Sequence, residues 1–257
     1  MAPHVITPQR DAHTHTIILL HGRDSIASEF ASEFFESQAS DDRTLLEIFP
    51  TTRWVFPVAN MINSARFETP MSQWFDLWSV ENPQEKNEIQ IDGLRESARE
   101  ILEVIQTESA LVSPDRIILG GISQGCATAI HALLHGGIRL GGFIGLNSWL
   151  PFEPDTTTTS GDTKAWTMVG DKLQYSQKLL DIPLGSHQHS SAALETPVFL
   201  SHSQDDEVVP IANGMRLSNT LESIGMKVEW REYVDGGHWV NEPQGVDDIV
   251  AFINSTR

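Results

Sequence analysis

The segment Gly121-Ile122-Ser123-Gln124-Gly125 sets a serine midway between two glycines, behind an apolar run and ahead of a stretch of small residues. A serine hydroxyl is a poor nucleophile at neutral pH. It needs a base to take its proton, and a carboxylate to orient that base and stabilise its charged form. A tight strand-to-helix turn requires small residues two before and two after the serine, and it presents the hydroxyl at a helix N-terminus. Backbone N–H groups and the helix dipole there favour developing negative charge. The chain supplies the other two groups downstream: an acidic loop, Asp205-Asp206-Glu207, and then Gly236-Gly237-His238. The order serine, carboxylate, histidine is the one that nucleophile-elbow hydrolases use.

His238 is the strongest base among the ten histidines, because the glycines before it let the loop approach closely and a terminal helix follows to anchor it. His21 ends an apolar run and is expected to brace the neighbouring loop, and His202 is a weaker candidate base. His187 and His189 have no cysteine or carboxylate cluster beside them, so they are expected on the surface and not as metal ligands. Cys126, three residues after the serine, is expected to pack beneath the turn.

Short apolar runs alternate with helical patterns, which predicts a mostly parallel sheet covered by helices on both faces. Strands are expected at residues 16–20, 53–56, 116–119, 142–146, 197–200 and 228–233. Helices are expected at 28–37, from Ile91 to beyond Ile105, at 126–135, 211–224 and 246–253. The acidic loop and His238 each follow a strand, on the same edge as Ser123. Residues 57–73 show no period and are expected to form a long loop, a type that often serves as a lid. Residues 152–196, with four consecutive threonines, are too polar to be core. They are expected to form either a surface insertion near the binding edge or an excursion with no role.

A chain of 257 residues fits one α/β domain, expected here over 1–257, and should bury about 70–75% of its unfolded surface. Its 35 acidic residues against 17 basic ones give a net charge of −18, which disfavours nucleic acid and anionic membranes as partners. One cysteine excludes an intrachain disulfide and suits a reducing compartment. With no secretory signal at the N-terminus and no apolar run of about 20 residues, the expected location is cytoplasmic and not integral to a membrane.

With these motifs in place, the chain resembles the acyl-protein thioesterase and small carboxylesterase (phospholipase/carboxylesterase) family of α/β-hydrolases. The likeness runs from about Thr16 to the C-terminus, outside the 152–196 segment. It rests on Leu20-His21-Gly22-Arg23, Ser72-Gln73-Trp74-Phe75-Asp76, the serine motif, residues 201–210 and Gly236-Gly237-His238. The resemblance implies Ser123 as nucleophile, Asp206 as the orienting acid in preference to Asp205, and His238 as base. It implies an oxyanion hole from the backbone N–H groups of Arg23 and Gln124. Trp74 and Phe75 resemble an aromatic wall beside the acyl pocket, with plain core aromatics as the equal alternative. The chain carries Asp24 and Ala27 where family members often have glycines, and its acidic loop begins His202-Ser203 where they usually have His-Gly.

The expected activity is hydrolysis of carboxylic esters or thioesters through an acyl-serine, without metal or organic cofactor. Acylated protein, lysophospholipid and small esters remain alternative substrates, with the insertion favouring the last. A protein that keeps the hydrolase fold but only binds ligand is the rival from another class. The complete set of three groups argues against it.

Overall fold

The computed structural model describes residues 2–8, 12–153, 180 and 191–257. Seven strands form one sheet: β1 (His4–Ile6), β2 (His15–Leu20), β3 (Thr52–Phe56), β6 (Ile117–Ile122), β7 (Gly142–Leu146), β8 (Val198–Ser203) and β9 (Val228–Tyr233). Their spatial order is β1-β3-β2-β6-β7-β8-β9. Only β1 runs antiparallel to its neighbour; the rest are parallel.

Helices cover both faces, as the alternating pattern predicts. Among the described residues they include α1 (Ala27–Phe34), α2 (Leu45–Ile48), α3 (Ile91–Ser109), α4 (Gln124–Gly136), α5 (Ile211–Ser223) and α6 (Gln244–Ser255). Successive side chains of a strand point to opposite faces, and β2 shows the division directly. Ile18 and Leu20 pack with Leu94, Ala98 and Ile101 of α3 and with the small-residue face of α4. Ile17 and Leu19 pack on the other face, with Phe30 and Phe34 of α1 and Ile249 and Phe252 of α6. Strands buried on both faces are continuous apolar runs, which is why they are visible in the sequence.

The chain leaves β2 for β3 on one side and returns to β6 on the other. Strand order therefore reverses between β2 and β6, and such a switch point opens a crevice beyond the carboxyl ends of the strands. The register pairs Leu20 with Gly121, so the turns after β2 and β6 emerge side by side.

The structure departs from the expected pattern in three segments. Residues 57–73 are not a plain loop, because β4 (Met61–Asn63) and β5 (Pro70–Ser72) pair antiparallel within them. Three-residue strands on a mostly exposed ribbon are too short to carry a readable alternation. The segment before β2 also contributes β1, whose partly buried residues extend the sheet beyond β3. Most of residues 152–196, including His187 and His189, lie outside the described residues. Of the described remainder, Phe152, Leu180 and Ala193 are buried in the core, so the segment is not wholly a surface insertion; a few apolar residues in a polar stretch give no readable period. Among the described residues no helix is long and apolar enough to cross a membrane.

At the sheet edge opposite the crevice, Glu108 is 3% exposed. Its carboxylate accepts from Arg53 Nε at 2.9 Å and Nη2 at 3.2 Å, and from Thr16 Oγ1 at 3.3 Å. Removing one partner of a buried charged pair leaves the other desolvated and unpaired. Glu108→Ala is therefore expected to lower stability by about 1–3 kcal/mol, seen as a lower urea midpoint with an unchanged transition slope.

Candidate active site

Ser123 joins β6 to α4 with φ 54° and ψ −125°. An L-residue holds such a conformation at a cost of about 1–3 kcal/mol, so the surroundings must impose it. The two flanking glycines are what permit the turn. A Cβ on Gly125 would lie 2.4 Å from the carbonyl oxygens of both Leu20 and His21, and one on Gly121 would lie 2.7 Å from the Leu20 oxygen. Any side chain at either position would force β2 away from the turn. Two further bonds fix the serine backbone: Ser123 N–H donates to Leu146 O at 2.9 Å, and Ser148 Oγ donates to Ser123 O at 2.7 Å. Cys126 packs fully buried beneath the turn, and burial pushes its thiol up to about 12, so it remains unionised.

The acidic loop after β8 carries Asp206 with a fully buried side chain. Its Oδ1 accepts the backbone N–H groups of Val208 at 2.8 Å and Val209 at 2.9 Å. Its Oδ2 meets His238 Nδ1 at 2.7 Å and His202 Nε2 at 3.2 Å. Burial alone would raise this carboxyl, but the bonds from His202 and His238 and the charge of His238 outweigh it and hold the group well below the usual carboxylate range. His202 Nε2 faces two acceptors, Asp206 Oδ2 and the Val209 carbonyl at 2.8 Å, so Nε2 carries the proton. His202 is thus a second donor to the Asp206 carboxylate and sits 1% exposed.

His238 follows Gly236 and Gly237, whose φ values of 121° and 60° bring the loop back toward β8. Asp205 does not face the histidine ring; its Oδ1 accepts the Gly237 N–H at 2.8 Å and so anchors this loop. The Nδ1 bond to Asp206 leaves Nε2 as the ring nitrogen available for proton transfer.

Ser123 and His238 line one cleft of about 360 Å³ with Gly22, Arg23, Phe30, Val80, Val208 and Trp239 among its walls. A Cβ on Gly22 would lie 3.7 Å from Ser123 Cβ, so the loop after β2 passes directly beside the serine. Arg23 turns its guanidinium away into bonds with Gln73 Oε1 at 2.8 Å and Ser64 Oγ at 3.1 Å. The Asp24 N–H reaches Ser72 O at 2.7 Å, which ties this loop to the β4–β5 ribbon.

Trp74 and Phe75 are 1% and 0% exposed and are not among the residues lining this cleft. They belong to its frame. Gln124 Oε1 accepts the Trp74 N–H at 3.0 Å, and Gln124 Nε2 donates to Phe75 O at 2.7 Å. Trp74 Nε1 donates to His21 O at 2.8 Å. Aromatic residues near a motif look the same in sequence whether they face the cleft or support it from behind. His21 braces its loop as expected: Nδ1 donates to Gly22 O at 2.8 Å and Nε2 accepts from Ala59 N at 3.2 Å. Burial holds this imidazole below its ordinary pKa, which keeps it neutral. Among the described residues, no group of three or more His, Cys, Asp or Glu is placed to hold a metal ion.

A family model described as Phospholipase/Carboxylesterase matches residues 1–170, and one described as Prolyl oligopeptidase family matches residues 95–255. Acyl-protein thioesterase 1 of Gibberella zeae is 26% identical over 254 residues, 97% of this chain and 93% of that protein. Acyl-protein thioesterase 1 of Yarrowia lipolytica is 27% identical over 236 residues, 90% of this chain and 87% of that protein. The crystal structure of Zea mays acyl-protein thioesterase 2 shares the fold with a TM-score of 0.71 and 21% identity, covering 99% of this chain and 98% of that one. Esterase PE8 shares it with a TM-score of 0.70 and 20% identity, covering 100% and 99%.

A carboxyl whose pKa is depressed by folding stabilises the native state above its unfolded pKa of about 3.9, and loses that contribution as pH falls toward the folded value. Asp206→Asn is therefore expected to be less stable than wild type at pH 7, with the difference shrinking progressively below about pH 4. Urea midpoints measured at pH 7 and pH 3 check this; a difference that is equal at both would contradict it.

Proposed function

This chain belongs to the phospholipase/carboxylesterase family and is a serine hydrolase of carboxylic esters or thioesters; we propose that its reaction runs through Ser123, Asp206 and His238. The observation that carries this assignment is the 2.7 Å bond between His238 Nδ1 and a buried carboxylate, in a loop that lines the same cleft as Ser123.

Ser123 Oγ attacks the substrate carbonyl carbon while His238 Nε2 takes the hydroxyl proton, and the carbonyl oxygen becomes an oxyanion. Asp206 stabilises the imidazolium and fixes which ring nitrogen faces the serine. The oxyanion is assigned to the backbone N–H groups of Gln124 and Arg23. Gln124 opens α4, where the first N–H groups have no intrahelical acceptor, and Arg23 lines the cleft beside the serine. One such donor is worth about 2.7–4 kcal/mol in the transition state. Collapse of the intermediate expels the alcohol or thiol, which takes the proton from His238. Water then attacks the acyl-serine by the same route, and the cycle needs no metal or organic cofactor.

The acyl chain is assigned to the apolar side of the cleft, formed by Phe30, Val80, Ile122, Val208 and Trp239, and not to Trp74 and Phe75. S-acylated protein is the second substrate reading, favoured by relatives named acyl-protein thioesterase 1 that align over nearly the whole chain. That same alignment supports a single catalytic domain over 1–257. A reducing, cytoplasmic setting suits a chain whose only cysteine is a buried thiol.

Ser123→Ala is expected to lower kcat on a p-nitrophenyl ester by about four orders of magnitude or more, without lowering the thermal midpoint. Wild-type turnover in that variant would remove Ser123 from the mechanism. Matched oxygen esters and thioesters, from acetyl to palmitoyl, decide the substrate: a thioester preference that grows with chain length supports the deacylase reading, and a short-ester preference supports the small-ester reading.

A further inference from the structure

The tripeptide Leu146-Asn147-Ser148 at the end of β7 contacts all three segments that carry the assigned catalytic groups. Leu146 O and Ser148 Oγ hold the Ser123 backbone from both sides. Asn147 lies between them, 2% exposed, with φ 48°. Asn is among the few residues that enter this left-handed region readily. Its backbone N–H still donates to Ser201 O of β8 at 2.9 Å.

Both ends of the Asn147 amide are used, and the partners fix which end is which. The Ser203 N–H can only donate, so it selects Oδ1, at 3.2 Å; the Trp239 carbonyl can only accept, so it selects Nδ2, at 2.7 Å. Ser203 is the last residue of β8, and its carbonyl in turn accepts the Asp206 N–H at 3.3 Å. Trp239 directly follows His238. One side chain therefore spans from the strand that delivers the acid to the loop that delivers the base. That loop contains two glycines and is anchored before His238 by Asp205 on the Gly237 N–H. Asn147 provides the anchor after it.

Resting on the assignment of Ser123, Asp206 and His238, we propose that Asn147 is a positioning residue that sets the separation of the acid and base loops and keeps His238 aligned between Asp206 and Ser123. It touches neither substrate nor the reacting atoms, so its contribution should appear in the chemical step and not in substrate binding. Displacement of a catalytic group by about 1 Å can cost about 100-fold in rate.

Two substitutions, each made in wild type and in a His238→Ala background, test this by hydrolysis of p-nitrophenyl acetate. Asn147→Ala removes both bonds. Asn147→Asp keeps the volume and the acceptor for Ser203, tolerates the same backbone, and places a second oxygen against the Trp239 carbonyl. Each is expected to lower kcat about 10- to 100-fold, with KM within about two-fold, while circular dichroism and the thermal midpoint show folded protein. In the His238→Ala background the same changes should alter the residual rate less than about two-fold, because the residue through which Asn147 acts is gone. Wild-type kcat in both variants overturns the proposal. So does an equal fold-loss in both backgrounds, or a loss that merely tracks the unfolded fraction, since either marks a purely structural role. Undiminished turnover in His238→Ala alone would instead overturn the catalytic assignment itself, and the positioning role with it.

Discussion

Close approach of two backbones, the end of β2 and the turn after β6, is the constraint on which the site is built. At Gly125 the carbonyls of Leu20 and His21 come within 2.4 Å of where a side chain would begin, and Gly121 is nearly as tight. That contact forces Ser123 into a conformation that L-residues avoid, and the helix behind it supplies free N–H groups where the hydroxyl emerges. It also sets the strand register, since Leu20 must face Gly121 for the turns to meet. The loop of His21, Gly22 and Arg23 then lies beside the serine as a consequence of the sheet and not of its own sequence.

The second organising interaction is electrostatic. A fully buried carboxylate at Asp206 is tolerated because backbone N–H groups satisfy one oxygen and two histidines satisfy the other. His202 and His238 differ in what surrounds them. The first is enclosed by β8 and α5 with its Nε2 committed to two acceptors, and the second stands partly open on a glycine loop held at both ends. The same carboxylate thus bonds one histidine that stays in the interior and one that reaches the cleft. Arg23 contributes in a similar indirect way, its guanidinium bonding Ser64 and Gln73 beside the β4–β5 strands while the residue lines the cleft.

Much of this was legible in the sequence because the physics behind it is local or periodic. The central strands are continuous apolar runs, and the helix over Ile91–Ser109 shows its buried face at regular spacing. The serine turn is legible because only glycine fits two residues to either side. The candidate acid and base are legible because each lies just after an apolar strand. What was hidden depends on long-range placement. Three-residue strands such as Met61–Asn63 carry no pattern of their own. Trp74 and Phe75 have the composition of a pocket wall, yet the hydrogen bonds of Gln124 draw their backbone into the frame. Asn147 has no motif around it, and its role arises only when β7 comes to lie beside β8 and the His238 loop. The sequence offers His202 only as a weaker candidate base, and its approach to the Asp206 carboxylate identifies it instead as a donor to that group.

The central claim is that an acyl group passes through Ser123. Its most direct test is acid quenching of the enzyme during turnover of a slowly deacylating ester, followed by intact-mass measurement and peptide mapping. The account predicts one added acyl mass per chain, located on the peptide containing Ser123 and absent from Ser123→Ala. An adduct on another residue, or product formation at full rate with no acyl-enzyme in either protein, would contradict it.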